Sequence, residues 1–131
     1  MASDKLKRNE SSIMVAIVNN HIQSVTHLSN FLESKGYRTV WAYTGEAAIK
    51  LCEKERPDIL FLDAQMPGMS GFDVARSLPA QKILFMVADE DIGKKAAKFS
   101  NCIGVIRKPV DDGELDDFLR TAFKLKKPAF E

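Results

Sequence analysis

The sequence predicts an α/β domain, doubly wound, with a five-stranded parallel sheet and helices on both of its faces. Three observations predict it. The strand-length runs are apolar almost throughout, as strands covered on both faces must be. The segments between them carry apolar residues at helical spacing. And the two kinds of segment alternate five times from end to end, the pattern of a parallel sheet joined by helical crossovers.

The first strand is read at "IMVAIV" (Ile13–Val18). A helix follows in "HIQSVTHLSNFLESKG", with its stripe at Ile22, Val25, Leu28, Phe31 and Leu32 and a natural stop at Gly36. "YRTVWA" is a second strand, less apolar and so expected nearer a sheet edge, with Trp41 partly buried. Thr44 is placed to cap the second helix, "GEAAIKLCEKER", whose stripe is Ala47, Ala48, Leu51 and Cys52 and which Pro57 ends.

"DILFLD" is the third strand, apolar until Asp63. "AQMPGMSG" is a loop of turn residues, and "FDVARSL" a short helix stopped by Pro79. "KILFMVA" gives the fourth strand, and "DEDIGKKAAKFSN" a more polar helix with Gly93 in its first turns. "CIGVIRK" is the fifth strand, closed by Pro109. The last helix, "DDGELDDFLRTAFKLKK", carries Leu115, Phe118, Leu119, Ala122 and Phe123 on one face, with acids early and lysines late.

Composition narrows the function classes. The 131 residues suit one domain with a real core. Apolar content of 45% and charged content of 28% are those of an ordinary globular protein, and a net charge of +1 gives no reason to expect nucleic acid as a partner. No apolar run is long enough to span a membrane. Residues 1–12 are a polar leader without the apolar stretch of a signal peptide, the domain proper is read as 13–125, and 126–131 as a short tail. Cys52 and Cys102 lack a metal-ligand or redox spacing and are expected to be buried thiols of a cytoplasmic protein.

In a sheet of this kind the carboxyl ends of the strands gather in one crevice. They bring Asn19 and Asn20 after the first strand, Asp63 after the third, Val87 and Ala88 after the fourth, and Lys108 with Pro109 after the fifth. A strand-end Asp alone is most often a turn former or helix cap. An Asp and a Lys-Pro together, ending the third and fifth strands, are harder to obtain by chance. The two amides stay open between two readings: turn formers, or occupants of a position where carboxylates would hold a metal. His21 and His27, without a partner pattern, are expected at surface or capping positions.

From Ile13 to Phe123 the chain resembles a two-component response-regulator receiver domain, most firmly in "PDILFLDAQMPGMSGFDVA" and "VIRKP", and also in "GYRTVWAYTGEAAIKL". The resemblance implies a (βα)5 flavodoxin-like fold and transfer of a phosphoryl group from a histidine kinase to the domain's own aspartate. Asp63 then corresponds to the phospho-acceptor and Lys108 to the phosphate-binding lysine, with the Lys108–Pro109 bond expected cis. The departures follow one theme. Asn19 and Asn20 stand where the family carries its Mg²⁺-binding acids; Val87, with Ala88 next to it, where it carries a phosphoryl-binding hydroxyl; Val105 where an aromatic reports activation. Ser70 replaces a commonly acidic loop residue.

An amide keeps the oxygen that a hard cation needs but loses the charge, roughly 4 kcal/mol of attraction per lost unit charge at ~4 Å and an effective dielectric of ~20. A metal would be surrounded by Asn19, Asn20, Asp63 and Gln65, and is expected to be weak or absent. No cofactor is expected, Mg²⁺ entering only if the domain is active. With two like charges removed beside it, Asp63 is expected to pair with Lys108.

The preferred reading is an atypical receiver without enzyme activity, a protein-interaction module for a histidine kinase, phosphotransfer protein or output partner. A homodimer through the fourth-helix to fifth-helix face is an option, and neither nucleic acid nor membrane is expected as a partner. The alternative is an active receiver phosphorylated on Asp63. A dehalogenase-like phosphatase is excluded because its second Asp would fall at Gln65, and a flavodoxin-like cofactor binder because "NNHIQS" is a poor phosphate loop.

Overall fold

The computed structural model describes residues 10–125. Five strands, β1 (Met14–Val18), β2 (Arg38–Ala42), β3 (Ile59–Asp63), β4 (Ile83–Val87) and β5 (Cys102–Arg107), alternate with α1 (Ile22–Ser34), α2 (Gly45–Glu55), α3 (Gly71–Ser77), α4 (Glu90–Ala97) and α5 (Asp112–Ala122). All neighbouring strands pair in parallel, in the order β2-β1-β3-β4-β5. This is the doubly wound, flavodoxin-like arrangement that the alternation predicts.

Strand periodicity divides the core in two. Val15, Ile17, Ile59, Phe61, Leu84 and Met86 point to one face and meet Val25, Leu28 and Leu32 of α1 and Leu115 and Leu119 of α5. Ala16, Val18, Leu60, Leu62, Phe85 and Val87 point to the other and meet Ala48, Cys52, Val74, Ala75 and Ala96 of α2, α3 and α4. β1, β3 and β4 are therefore covered on both sides, which is why they read as unbroken apolar runs. On the second face Phe72, Phe85 and Phe99 cluster with centroids 5.3–5.7 Å apart. Burial pushes the Cys52 thiol up to about 11.

Local signals place most element ends. Thr44 Oγ1 accepts from Ala47 N–H (3.1 Å) at the start of α2, Gly36 takes a positive φ just past α1, and β2 is an edge strand. Several side chains depart from the sequence reading. Trp41 is 46% exposed rather than partly buried, since it stands on that edge. Ile22, at the open end of α1, is 60% exposed. Ala47 and Ala122 also face solvent, so the helical stripes are narrower than their spacing predicts. α5 ends at Ala122, not at the following lysines: Phe123 turns into the core and Lys124 adopts φ 55°.

Of the polar leader, residues 1–9 lie outside the described residues, as does the 126–131 tail. Glu10–Ser12 form a 3₁₀ turn held to α5, where Arg120 donates to Glu10 Oε2 (3.1 Å) and to Asp116 Oδ2 (3.1 Å). Among the described residues no helix is long and apolar enough to cross a membrane.

The β3–α3 loop turns back on the strand end so tightly that only a glycine fits at residue 71. Its N–H donates to the Ala64 carbonyl (3.1 Å), and a Cβ there would press on the Asp63 carbonyl oxygen and lie 2.9 Å from Ala64 Cα. Gly71→Ala is expected to cost roughly 2 kcal/mol or more, measured as a lowered urea midpoint with an unchanged slope.

Candidate functional site

Strand order reverses direction between β1 and β3, and the crevice opens at the carboxyl ends of that pair. Asp63 is the last residue of β3 and is 3% exposed. A carboxylate so placed needs partners. Lys108 Nζ donates to Asp63 Oδ1 (3.1 Å) and Oδ2 (3.2 Å), and the Gln65 backbone N–H donates to Oδ1 (3.0 Å). Lys108 reaches in from just beyond β5, where its own N–H is fixed by the Val87 carbonyl (2.8 Å) and the Lys108–Pro109 peptide is cis.

Asn19 and Asn20 part company. Asn19 is buried; its Oδ1 accepts from the His21 N–H (3.0 Å), a local turn that closes the start of α1. It faces a cleft of about 330 Å³ with Lys108 and Pro109. Asn20 is exposed and lines a different, shallower depression of about 690 Å³ with Gln65 and Lys95. Adjacent in sequence, the two amides thus line different cavities.

Val87 is fully buried at the end of β4, while Ala88 beyond it is exposed. Val105, on β5, is 37% exposed. α4 lies close over both valines: a Cβ on Gly93 would stand 3.4 Å from Val105 Cγ1 and 3.6 Å from Val87 Cγ2. The crevice thus holds one carboxylate–ammonium pair and flanking amides, with an apolar contact to one side. Among the described residues no three His, Cys, Asp or Glu side chains converge as metal ligands.

Sequence reasoning missed three contributors. Ser70 caps α3 in a reciprocal box with Asp73: its Oγ accepts the Asp73 N–H (3.2 Å), and Asp73 Oδ2 accepts the Ser70 N–H (3.1 Å). The spacing Ser-x-x-Asp was the signal for it. Asn101 donates to the Ala75 (3.1 Å) and Leu78 (2.9 Å) carbonyls and so seals the other end of α3. His27, at the surface as expected, pairs across to Asp112 (3.0 Å), a contact between residues 85 apart in the chain that no local pattern announces.

Comparison with known proteins agrees with this geometry. The model of the response regulator receiver domain matches residues 15–120. The chain is 36% identical over 73 residues to the alkaline phosphatase synthesis transcriptional regulatory protein PhoP of Bacillus subtilis, covering 56% of this chain and 30% of that protein. It thus spans under a third of that relative's length. It is 27% identical over 108 residues to Protein PilH of Pseudomonas aeruginosa, covering 77% of this chain and 89% of that one. The solved signal receiver domain of a modulated diguanylate cyclase from Desulfovibrio desulfuricans matches with a TM-score of 0.75 at 27% identity, over 86% and 94% of the two chains. The chain belongs to the response-regulator receiver domains of two-component signalling.

Lys108→Met would leave the Asp63 carboxylate buried with only one backbone donor. A loss of about 1–3 kcal/mol is expected, tempered by the partial exposure of the lysine. Asp63→Asn in the same background should recover part of it, and a double-mutant cycle on chemical unfolding measures the coupling.

Proposed function

We propose that this receiver acts as a protein-interaction module whose signalling does not depend on Mg²⁺-driven phosphorylation of Asp63. The observation that carries the reading is the state of Asn19. At a position where the family holds a metal-binding acid, it is neutral, and its carbonyl oxygen already serves the His21 N–H. Asn20 is neutral too, and both oxygens of Asp63 are engaged by Lys108. Such a donor set fits a hard dication poorly, because amides bring no charge and the one carboxylate would have to give up its ammonium. No cofactor is assigned.

The contact between α4 and the two valines supports the same reading. A valine at residue 87 has no donor for a phosphoryl oxygen, and Val105 offers no aromatic ring beside α4. Receivers work with histidine kinases, phosphotransfer proteins or output partners, and this one is assigned to that company in the cytoplasm. A homodimer through the α4–β5–α5 face would use Ile103, 39% exposed, and Val105. The reading assigns no enzyme activity.

The second reading, an active receiver phosphorylated on Asp63, draws on the pairing of Asp63 with Lys108, which leaves acceptor and lysine together. The two separate in one experiment: beryllofluoride and Mg²⁺ are titrated into the protein while amide NMR shifts are followed, with acid-labile phosphate measured in parallel after exposure to acetyl phosphate. Wild type is expected to show neither saturable shifts at the strand ends nor phosphate above the Asp63→Ala background. Asn19→Asp/Asn20→Asp is expected to gain both. Saturable shifts at Asp63 and Lys108 in wild type would hand the function to the active reading.

A further inference from the structure

A cleft opens between α1 and the loop after β5. Its floor is apolar and fully covered, formed by Leu28 and Met86, and Val110 and Pro109 continue it along one wall. Its inner end is polar, where Asn19 and Lys108 meet. Across its outer rim His27 reaches Asp112 (3.0 Å), which ties α1 to the start of α5. The volume, about 330 Å³, sits near the lower end of the ~300–1,000 Å³ typical of small-molecule sites.

The polar end presents donors that the protein does not use. Asn19 is 5% exposed, its Oδ1 is committed to the His21 N–H, and its amide Nδ2 has no hydrogen-bond partner among the described residues. That nitrogen is not wholly enclosed, so it keeps contact with solvent at the cleft that Asn19 lines and is free to donate there. Lys108 carries three N–H donors and spends two on Asp63, which leaves one. His21, whose Nδ1 is engaged with Ser24 Oγ (2.7 Å), lines the same end. Among the residues that line the cleft none is acidic; Asp112 stands outside and is taken by His27.

We propose that this cleft binds a small amphipathic anion: a carboxylate on a short apolar body. The carboxylate accepts from Asn19 Nδ2 and from the spare Lys108 N–H, and the body lies on Leu28, Met86 and Val110. A cation at the inner end would meet the Lys108 ammonium, and a neutral apolar molecule would leave the Asn19 and Lys108 donors unpaired, so the charge and the apolar body are both required. Because the ligand draws on the ammonium that holds Asp63, occupancy is felt at the aspartate without a phosphoryl group being added. The site shares Asn19 and Lys108 with the pocket of the aspartate, although Asp63 itself does not line it.

The test is an amide NMR titration of the full chain with 3-phenylpropionate, with 3-phenylpropanamide and inorganic phosphate as separate arms. Saturable shifts centred on Asn19, His21 and Val110 are expected with the acid. The amide should bind at least tenfold more weakly, about 1.4 kcal/mol, and phosphate alone should not saturate. Val110→Trp, which fills the cleft, and Gln23→Trp, a surface change at its mouth, should each abolish the response. Shifts that persist in a variant that folds, equal binding of the amide, saturation by phosphate alone, or no saturable shift would each overturn the proposal.

Discussion

The constraint on which the rest of this structure depends is the burial of β1, β3 and β4 on both faces. Such strands have no solvated side on which to carry a polar group, so polar side chains are driven to their ends. Asp63 is where β3 stops being apolar, and it stops inside the protein. A buried carboxylate costs several kcal/mol unless it is met by charge and donors. Lys108 and the Gln65 N–H meet it. The fixed position of the β5 end, through the hydrogen bond between Lys108 N–H and the Val87 carbonyl, is what delivers the ammonium to the right place.

Around that pair, the two amides divide the ground. Asn19 is absorbed into the backbone turn that begins α1, and Asn20 stands in solvent at a separate depression. The opposed readings of "NN", turn formers or occupants of a metal position, therefore do not exclude each other. On the proposed reading, Asn19 does the first because it no longer does the second.

The fold was legible in the sequence because it rests on patterns that are local and strong. "DILFLD" and "KILFMV" could be little other than double-faced strands, and Thr44 and Gly36 mark helix ends through chemistry confined to a few residues. What was not legible depended on neighbours far along the chain. Trp41 is exposed because β2 has a partner on one side only, which its own residues do not encode. Ile22 fits the helical stripe of α1 but, as the helix's first residue, is left exposed. Phe123 leaves the helix to fill the bottom of the core, and this shortens α5 against its periodicity. At the site, Asp63 and Lys108 were readable as strand ends, whereas the His27–Asp112 tie and the support of α3 by Asn101 arise only once the layers are packed.

The link between Arg120 and Glu10 divides the domain into two poles. It draws the described start of the chain and the end of α5 to one pole of the sheet, near Phe123 and the entries to β3 and β4. Asp63 lies at the other pole. A change at Asp63 is thus separated from the Glu10–Arg120 pair by the length of the sheet and its packed layers.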